Sequence, residues 1–270
     1  MSGSIQGGAS ARGYSQRLQE QLQALQDRTR ARLASGRRIA TAADDAAGLA
    51  ISKRLEAEVR SSRQAERNAA DVQSVARVAD GAMQSSQDSL GRMRELTVQA
   101  QNGTLSASDR ETIQQEFDQL SAQLNQTAGG TRFGDTTLLD GSASGEAAIA
   151  AATGDSDSVE LEISDVGADA LGLSGRSVAD ASTLTALDQA GEMLASERAR
   201  IGATDNTLGR QQNRLAAARE SAEAARSRIE DVDVAREVAE STRGRILSEL
   251  SLAGQRVSEQ GRARIYDLLS

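Results

Sequence analysis

The side chains with chemical potential in this chain are carboxylates, hydroxyls and guanidinium groups. Three acidic pairs stand out: Asp44-Asp45, Asp155-Ser156-Asp157 and Asp231-Val232-Asp233. Neighbouring carboxylates can share general acid and base roles or hold a divalent cation. The chain has no His and no Cys, which removes the commonest general base and every thiol nucleophile. The Asp155–Asp157 loop lacks the further ligands of a Ca²⁺ hand, including a bidentate Glu at the right spacing. No glycine pattern that cradles phosphate is present, and no His-Glu-x-x-His. With 39 acids in the chain, helix capping and pairing with Arg account for the acidic pairs. The expectation is a non-enzyme with no catalytic residues, no cofactor and no metal.

The residues that organise the chain are apolar and regularly spaced. Leu187, Leu194, Ile201, Leu208, Leu215, Ala222 and Ile229 recur at heptad intervals. At the offset of three stand Ala190, Thr204, Ala218, Ala225 and Val232, with polar interruptions at Glu197 and Gln211. Large residues on one track and small ones on the other make a narrow seam, which a second long helix must cover. The best partner is the stripe Val72, Ala76, Ala79, Met83, Ser86, Leu90 and Met93. Aromatics make up only 1% and Pro is absent, so long helices meet none of the strongest breakers and the core is built from Leu, Ile, Val and Ala. The pattern predicts a mainly α protein: an elongated, coiled-coil-like helical bundle from both chain ends, with a small β-hairpin element in the middle.

Taken in order, residues 1–10 are small, polar and Gly-rich and read as disordered in the free chain. A helical stripe then runs through Tyr14, Leu18, Leu22, Leu25, Thr29 and Leu33 and stops at Gly36. Thr41-Ala-Ala-Asp44 resembles a capping arrangement opening a helix over 43–101, inside which Gly81 suggests a close helix approach. Asn102-Gly103 marks a turn, and Ser108-Asp-Arg-Glu111 reads as the capping box of a third helix carrying Ile113, Phe117, Leu120 and Leu124. Gly129-Gly130 ends it. Thr136–Leu139 reads as a strand before an Asp140-Gly141 turn, and Val159, Leu161 and Ile163 alternate as a half-buried strand after a turn at 154–158. The heptad helix follows over 178–232, and a last helix over 234–268 with the stripe Ile246, Leu250, Ala253, Val257, Ile265, Leu268 and Leu269.

The formal net charge of −8 disfavours nucleic acid as a general partner. Its distribution is uneven: residues 1–40 carry seven Arg and two acids, whereas 135–180 carry one Arg and ten acids. This reads either as solvated helix faces with a soluble loop region, or as packed ends with an outward-facing acidic middle. No charged-then-apolar leader and no apolar run of about 18 residues is visible, so neither a cleaved signal peptide nor a membrane partner is expected. Lys53 is the only lysine, which leaves basic contacts to Arg. Asn102-Gly-Thr104 and Asn125-Gln-Thr127 match the three-residue N-glycosylation pattern, which by itself has little specificity.

Several long stretches resemble the bacterial flagellins. LASGRRIATAADDAAGLAIS (Leu33–Ser52) is similar to the N-terminal signature of that family, and GRMRELTVQAQNGTLSASDRETIQQE (Gly91–Glu116) to its next recognisable block. TRFGDTTLLDG (Thr131–Gly141), IGATDNTL (Ile201–Leu208) and SRIEDVDVAREVAESTRGRIL (Ser227–Leu247) resemble later blocks, in order and at the expected spacings. Gln212-Asn213-Arg214-Leu215 imitates one family motif, but the spacing to Ser227 assigns that place to Asp205–Leu208. The ends depart from the family: SIQGGAS stands at the start, and GQRVSEQGRARIYDLLS is a more charged tail than usual.

The resemblance implies a structural subunit, exported through the flagellar type III channel and self-assembled into the extracellular filament for motility. Its implied partners are further copies of itself, the export chaperone, and the distal cap and junction proteins. It implies terminal helices at 1–36 and 234–270 forming the inner core and disordered in the monomer, an outer-core bundle from 37–130 and 176–233, and β structure with loops at 131–175, without large outer domains. Arg92, Leu96 and Glu116 fall where the vertebrate innate receptor for flagellin makes contact, although Gly91 replaces the usual Gln. The alternatives are a hook–filament junction protein and a monomeric coiled-coil binding module. Asp44-Asp45-Ala46-Ala47-Gly48, where junction proteins tend to carry a proline, favours flagellin.

Overall fold

The computed structural model describes residues 3–144, 148–152 and 158–269, with side chains for 16–257 outside those gaps and for 260–261. The Asp155–Asp157 pair, and the side chains of Tyr14, Ile265, Leu268 and Leu269, lie outside the described residues. The elements are α1 (Gly3–Ser35), α2 (Ala46–Ala100), α3 (Ala107–Gly130), β1 (Arg132–Phe133), β2 (Thr136–Thr137), β3 (Ile149–Ala152), β4 (Ser158–Leu161), α4 (Ala181–Glu230) and α5 (Val234–Leu269). The chain is mainly α, as its periodicity predicts. It divides into two compact units, Met1–Glu58 with Ser221–Ser270, and Val59–Glu220. The divisions fall inside α2 and α4.

In the Val59–Glu220 unit, α2 and α4 run antiparallel, because partners ascend on one helix as they descend on the other. Glu66 pairs with Arg219, Asp80 with Arg198 and Asp188 with Arg94. Between these, Gln73 donates to the Asp205 carbonyl and accepts from Gln212. Both apolar stripes turn inward: Val72, Met83, Leu90 and Met93 from α2, and Leu187, Leu194, Ile201, Leu208 and Leu215 from α4, are all buried. Ala218, on the small-residue track, is exposed, and in the other unit Ile229 is half-buried. Of the polar seam positions, Ser86 Oγ and Gln211 Nε2 are buried with no hydrogen-bond partner among the described residues. Buried polar groups without a partner cost stability. Glu197 is buried but accepts from the Ser164 backbone N–H at 2.9 Å.

α3 covers the same core with Ile113, Phe117, Leu124 and Ala128. The connection after it adds Leu138, Leu139, Ile163, Val166, Leu171 and Leu173, all buried. Its backbone is tied by Val166 N–H to the Leu139 carbonyl and Ile163 N–H to the Ala143 carbonyl.

Several expectations need correction. α1 begins at Gly3, earlier than the stripe starting at Tyr14; glycine weakens a helix without breaking it, and no proline intervenes. The capping box of α3 is Ser106 with Asp109, not Ser108 with Glu111. Both pairs have the right spacing, but only Ser106 has the extended backbone (φ −70, ψ 164) that an N-cap requires. α2 begins at Ala46, capped by Asp45, and Thr41–Asp44 forms a separate turn before it. Gly81 meets no close neighbour. In place of one hairpin there are two antiparallel ladders, β1 with β2 and β3 with β4, and Leu139 and Ile163 lie outside the strands.

Candidate assembly site: the terminal helix pair and its clasp

In the unit formed by the chain ends, α1 and α5 pair antiparallel. Gln19 Nε2 donates to Gln255 Oε1 at 3.1 Å, and Arg32 lies 3.7 Å from Glu237. The last turn of α1 is closed by Gly36 in the left-handed region (φ 69), where a residue with a Cβ is strained. α5 starts where Asp233 Oδ1 accepts the Arg236 N–H. Thr29 is buried and satisfies its hydroxyl on the Leu25 carbonyl within α1.

This pair leaves much apolar surface in water. Leu18 and Leu25 on α1 are exposed, as are Val234, Val238, Ile246, Leu247, Leu250 and Val257 on α5. The α5 stripe legible in the sequence is therefore not a core stripe: Leu250 is 61% exposed and Val257 70%. Ile246, Leu250 and Val257 share one face of α5, and an exposed apolar face of this kind marks a contact surface.

Beneath the pair lies a clasp built from residues far apart in sequence. The segment after α1 crosses the connection between α4 and α5 as an isolated antiparallel bridge, Arg37 with Asp231. The Glu230 carbonyl accepts the Arg38 N–H at 2.6 Å, and the Gly36 carbonyl accepts the Val232 N–H at 3.0 Å. The Glu230 carboxylate is buried, takes a 2.6 Å hydrogen bond from the Ser52 hydroxyl and pairs with Arg37 at 3.0 Å. A buried carboxylate needs such donors, because unpaired it would cost several kcal/mol. Ile39, 1% exposed, packs against the first turn of α2, where Asp45 Oδ1 accepts the Gly48 N–H. Just upstream, the Thr41 backbone N–H and then its hydroxyl hold the Asp44 carboxyl below the usual carboxylate range.

The two acidic pairs among the described residues are thus spent on architecture. Asp44 closes a turn, Asp45 caps α2, Asp231 bonds Ser227 and Asp233 caps α5. Arg92 and Glu116 come together directly, Nη2 to Oε1 at 2.8 Å, with Glu95 on the second side of the guanidinium. Leu96 is not at that surface: it is 1% exposed, inside the core. Ser52, Arg37 and Glu230 escaped sequence reasoning, although they lie in or beside Leu33–Ser52 and Ser227–Leu247, the two stretches most like a family signature.

Both stretches lie within the parts of the chain that match known family patterns. The pattern described as "Bacterial flagellin N-terminal helical region" matches residues 9–144, and "Bacterial flagellin C-terminal helical region" matches 184–255. The chain belongs to the bacterial flagellins. Flagellin of Bacillus subtilis is 34% identical over 88% of this chain and 90% of its own length. Flagellin of Halalkalibacterium halodurans is 35% identical over 88% and 89%. A solved putative flagellar hook-associated protein from Vibrio parahaemolyticus shares the fold, with a TM-score of 0.59 at 15% identity, over 69% of this chain and 99% of that one. This flagellin is a structural subunit that self-assembles into the extracellular flagellar filament, and the full-length likeness to flagellins leaves the junction-protein alternative unfavoured. No helix among the described residues is long and apolar enough to cross a membrane.

Proposed function

We propose that the α1/α5 pair is the polymerisation element of this flagellin. Residues 1–36 and 234–270 would form the inner core of the filament, 37–130 and 176–233 an outer-core bundle making lateral contacts, and 131–175 the outward-facing part. The supporting observation is the exposed stripe on α5. Burying the exposed half of each of its large side chains is worth about 1 kcal/mol. Summed over the stripe, this is of the order of the cost of bringing two molecules together. A lone pair of subunits therefore gains little, whereas a subunit joining a growing end, with several neighbours at once, gains more. The export chaperone, cap and junction proteins are proposed to engage the same terminal helices, which carry the apolar surface that needs cover before assembly.

The test is electron microscopy of seeded polymerisation with Leu250→Asp and Val257→Asp. Filament growth should stop while circular dichroism of the monomer stays helical. Growth at the unsubstituted rate would overturn the proposal. For the vertebrate innate receptor, the surface available on the subunit is the Arg92–Glu116 pair, since Leu96 is buried. Arg92→Ala should weaken the response of receptor-expressing reporter cells to monomer, and an unchanged response would remove the pair from consideration.

A further inference from the structure

The turn between α2 and α3 carries the one Asn-Gly step in the chain, Asn102-Gly103. We infer that this turn is a modification site at which Asn102 deamidates spontaneously, its amide becoming aspartate or isoaspartate with water as co-reactant. The inference is independent of how the subunit assembles.

The electrophile is prepared by Thr104. Oδ1 of Asn102 accepts both the Thr104 backbone N–H (3.2 Å) and the Thr104 hydroxyl (3.0 Å). The two donors draw charge from Cγ and stand where the oxyanion of a tetrahedral intermediate develops. The nucleophile is unencumbered. The Gly103 N–H has no backbone acceptor among the described residues, and the place of a Cβ at Gly103 is open space. The product is also provided for: the Arg110 guanidinium donates to the Asn102 carbonyl at 3.3 Å and the Ala100 carbonyl at 3.1 Å, beside the site of the new carboxylate.

The other asparagines lack this combination. Asn68, Asn125, Asn206 and Asn213 all lie inside α2, α3 or α4, where the following N–H is committed to the helix ladder. Three are further tied by their side chains: Asn68 to the Ala152 carbonyl, Asn125 to the Ala168 N–H and Asn206 to the Gly202 carbonyl.

In the reaction the Gly103 nitrogen gives its proton to water or hydroxide and bonds to Asn102 Cγ. The Cγ–Nδ2 bond breaks and ammonia leaves with a proton, closing a five-membered succinimide. Water then opens the ring at either carbonyl, giving aspartate or isoaspartate. No electrons are transferred. The turn changes once, and irreversibly, from neutral to negative.

The experiment incubates the folded full-length chain at mildly alkaline pH and 37 °C, then maps deamidation by peptide mass spectrometry and isoaspartate by enzymatic methylation. The urea-unfolded chain is run in parallel, and circular dichroism checks that each variant is folded. Conversion should concentrate at Asn102. Gly103→Ala should slow it by roughly tenfold, through the added Cβ and restricted backbone. Thr104→Val, which keeps the backbone donor and loses the hydroxyl, should slow it by about fivefold, the worth of one hydrogen bond. Conversion at Asn102 no faster than at the four helical asparagines would overturn the inference. So would an unchanged rate in Thr104→Val, or a folded-chain rate about tenfold below the unfolded one, which would mean that the turn protects instead of directing.

Discussion

Replacing Gly48 by alanine sets two local rules against each other. Alanine is the better helix former by about 1 kcal/mol, so propensity alone expects a more stable protein. The structure expects the reverse. A Cβ on Gly48 would press on the Asp45 carboxylate, against Oδ2, and would lie 2.7 Å from Cδ1 of Ile39. Ile39 is packed in the clasp, 1% exposed. Asp45 can swing away, but only by breaking its 2.9 Å bond to the Gly48 N–H, the cap of α2. Losing the cap costs about 1 kcal/mol, and overpacking Ile39 costs about 1–3 kcal/mol. After the propensity gain, Gly48→Ala should destabilise the protein by about 1–3 kcal/mol. The assay is urea unfolding by circular dichroism for Gly48→Ala, Asp45→Ala and the double variant. Because Asp45→Ala removes the carboxylate that alanine displaces, the double variant should cost less than the sum by about 1 kcal/mol. A raised midpoint for Gly48→Ala, or strict additivity, would refute the steric argument.

Three further outcomes are expected from the same kind of measurement. Ser52→Ala leaves the buried Glu230 carboxylate without its hydroxyl donor and should cost about 1–3 kcal/mol; a neutral result would mean that water replaces the hydroxyl. Leu194→Ala, at a fully buried seam position, should lower unfolding free energy by about 2–5 kcal/mol, whereas Val98→Ala, on the exposed side of α2, should change it by less than about 0.5 kcal/mol. Acid should weaken the fold in a defined window. Asp44, Asp109, Asp140 and Asp180 all titrate below their usual range, held there chiefly by hydrogen bonds from Thr41, Ser106, Ser142 and Ser182 respectively. A depressed folded-state pKa contributes stability that is full above the unfolded value of about 3.9 and is lost as pH falls through the folded one. Urea midpoints should therefore fall below about pH 4 with net proton uptake, and Asp109→Asn should blunt that fall; an identical profile would contradict the cap assignment.

The long helices were legible because their burial repeats. Leu187, Leu194, Ile201 and Leu208 recur at one heptad position, and each lies in the core. Where a pattern has two solutions, sequence could not choose. Ser106-x-x-Asp109 and Ser108-x-x-Glu111 are both acceptable boxes, and only the backbone angle at Ser106 separates them. β3 was invisible because Ile149-Ala-Ala-Ala152 reads as helix former; pairing with Ser158–Leu161 makes it a strand. The clasp was hidden for a different reason. Ser52 and Glu230 carry no local signal for each other across 178 positions, and only the closure of the chain on itself makes one the donor of the other. The α5 stripe is legible as an apolar face, but periodicity does not report what covers it.

The antiparallel arrangement has a consequence in time. Glu66 meets its partner 153 positions later, Arg94 its own after 94, and Gln19 must wait for Gln255, 236 positions on. Closing a longer loop costs only about 0.6 kcal/mol per doubling, so the equilibrium tolerates such distant pairing; the schedule does not. A chain delivered in order, amino end first, leaves the side of α2 that faces α4 open to water until α4 arrives, and α3 covers only part of that core in the meantime. Topology alone keeps such a chain from acquiring its native structure piecemeal, and docks α1 only when the final helix has been handed over.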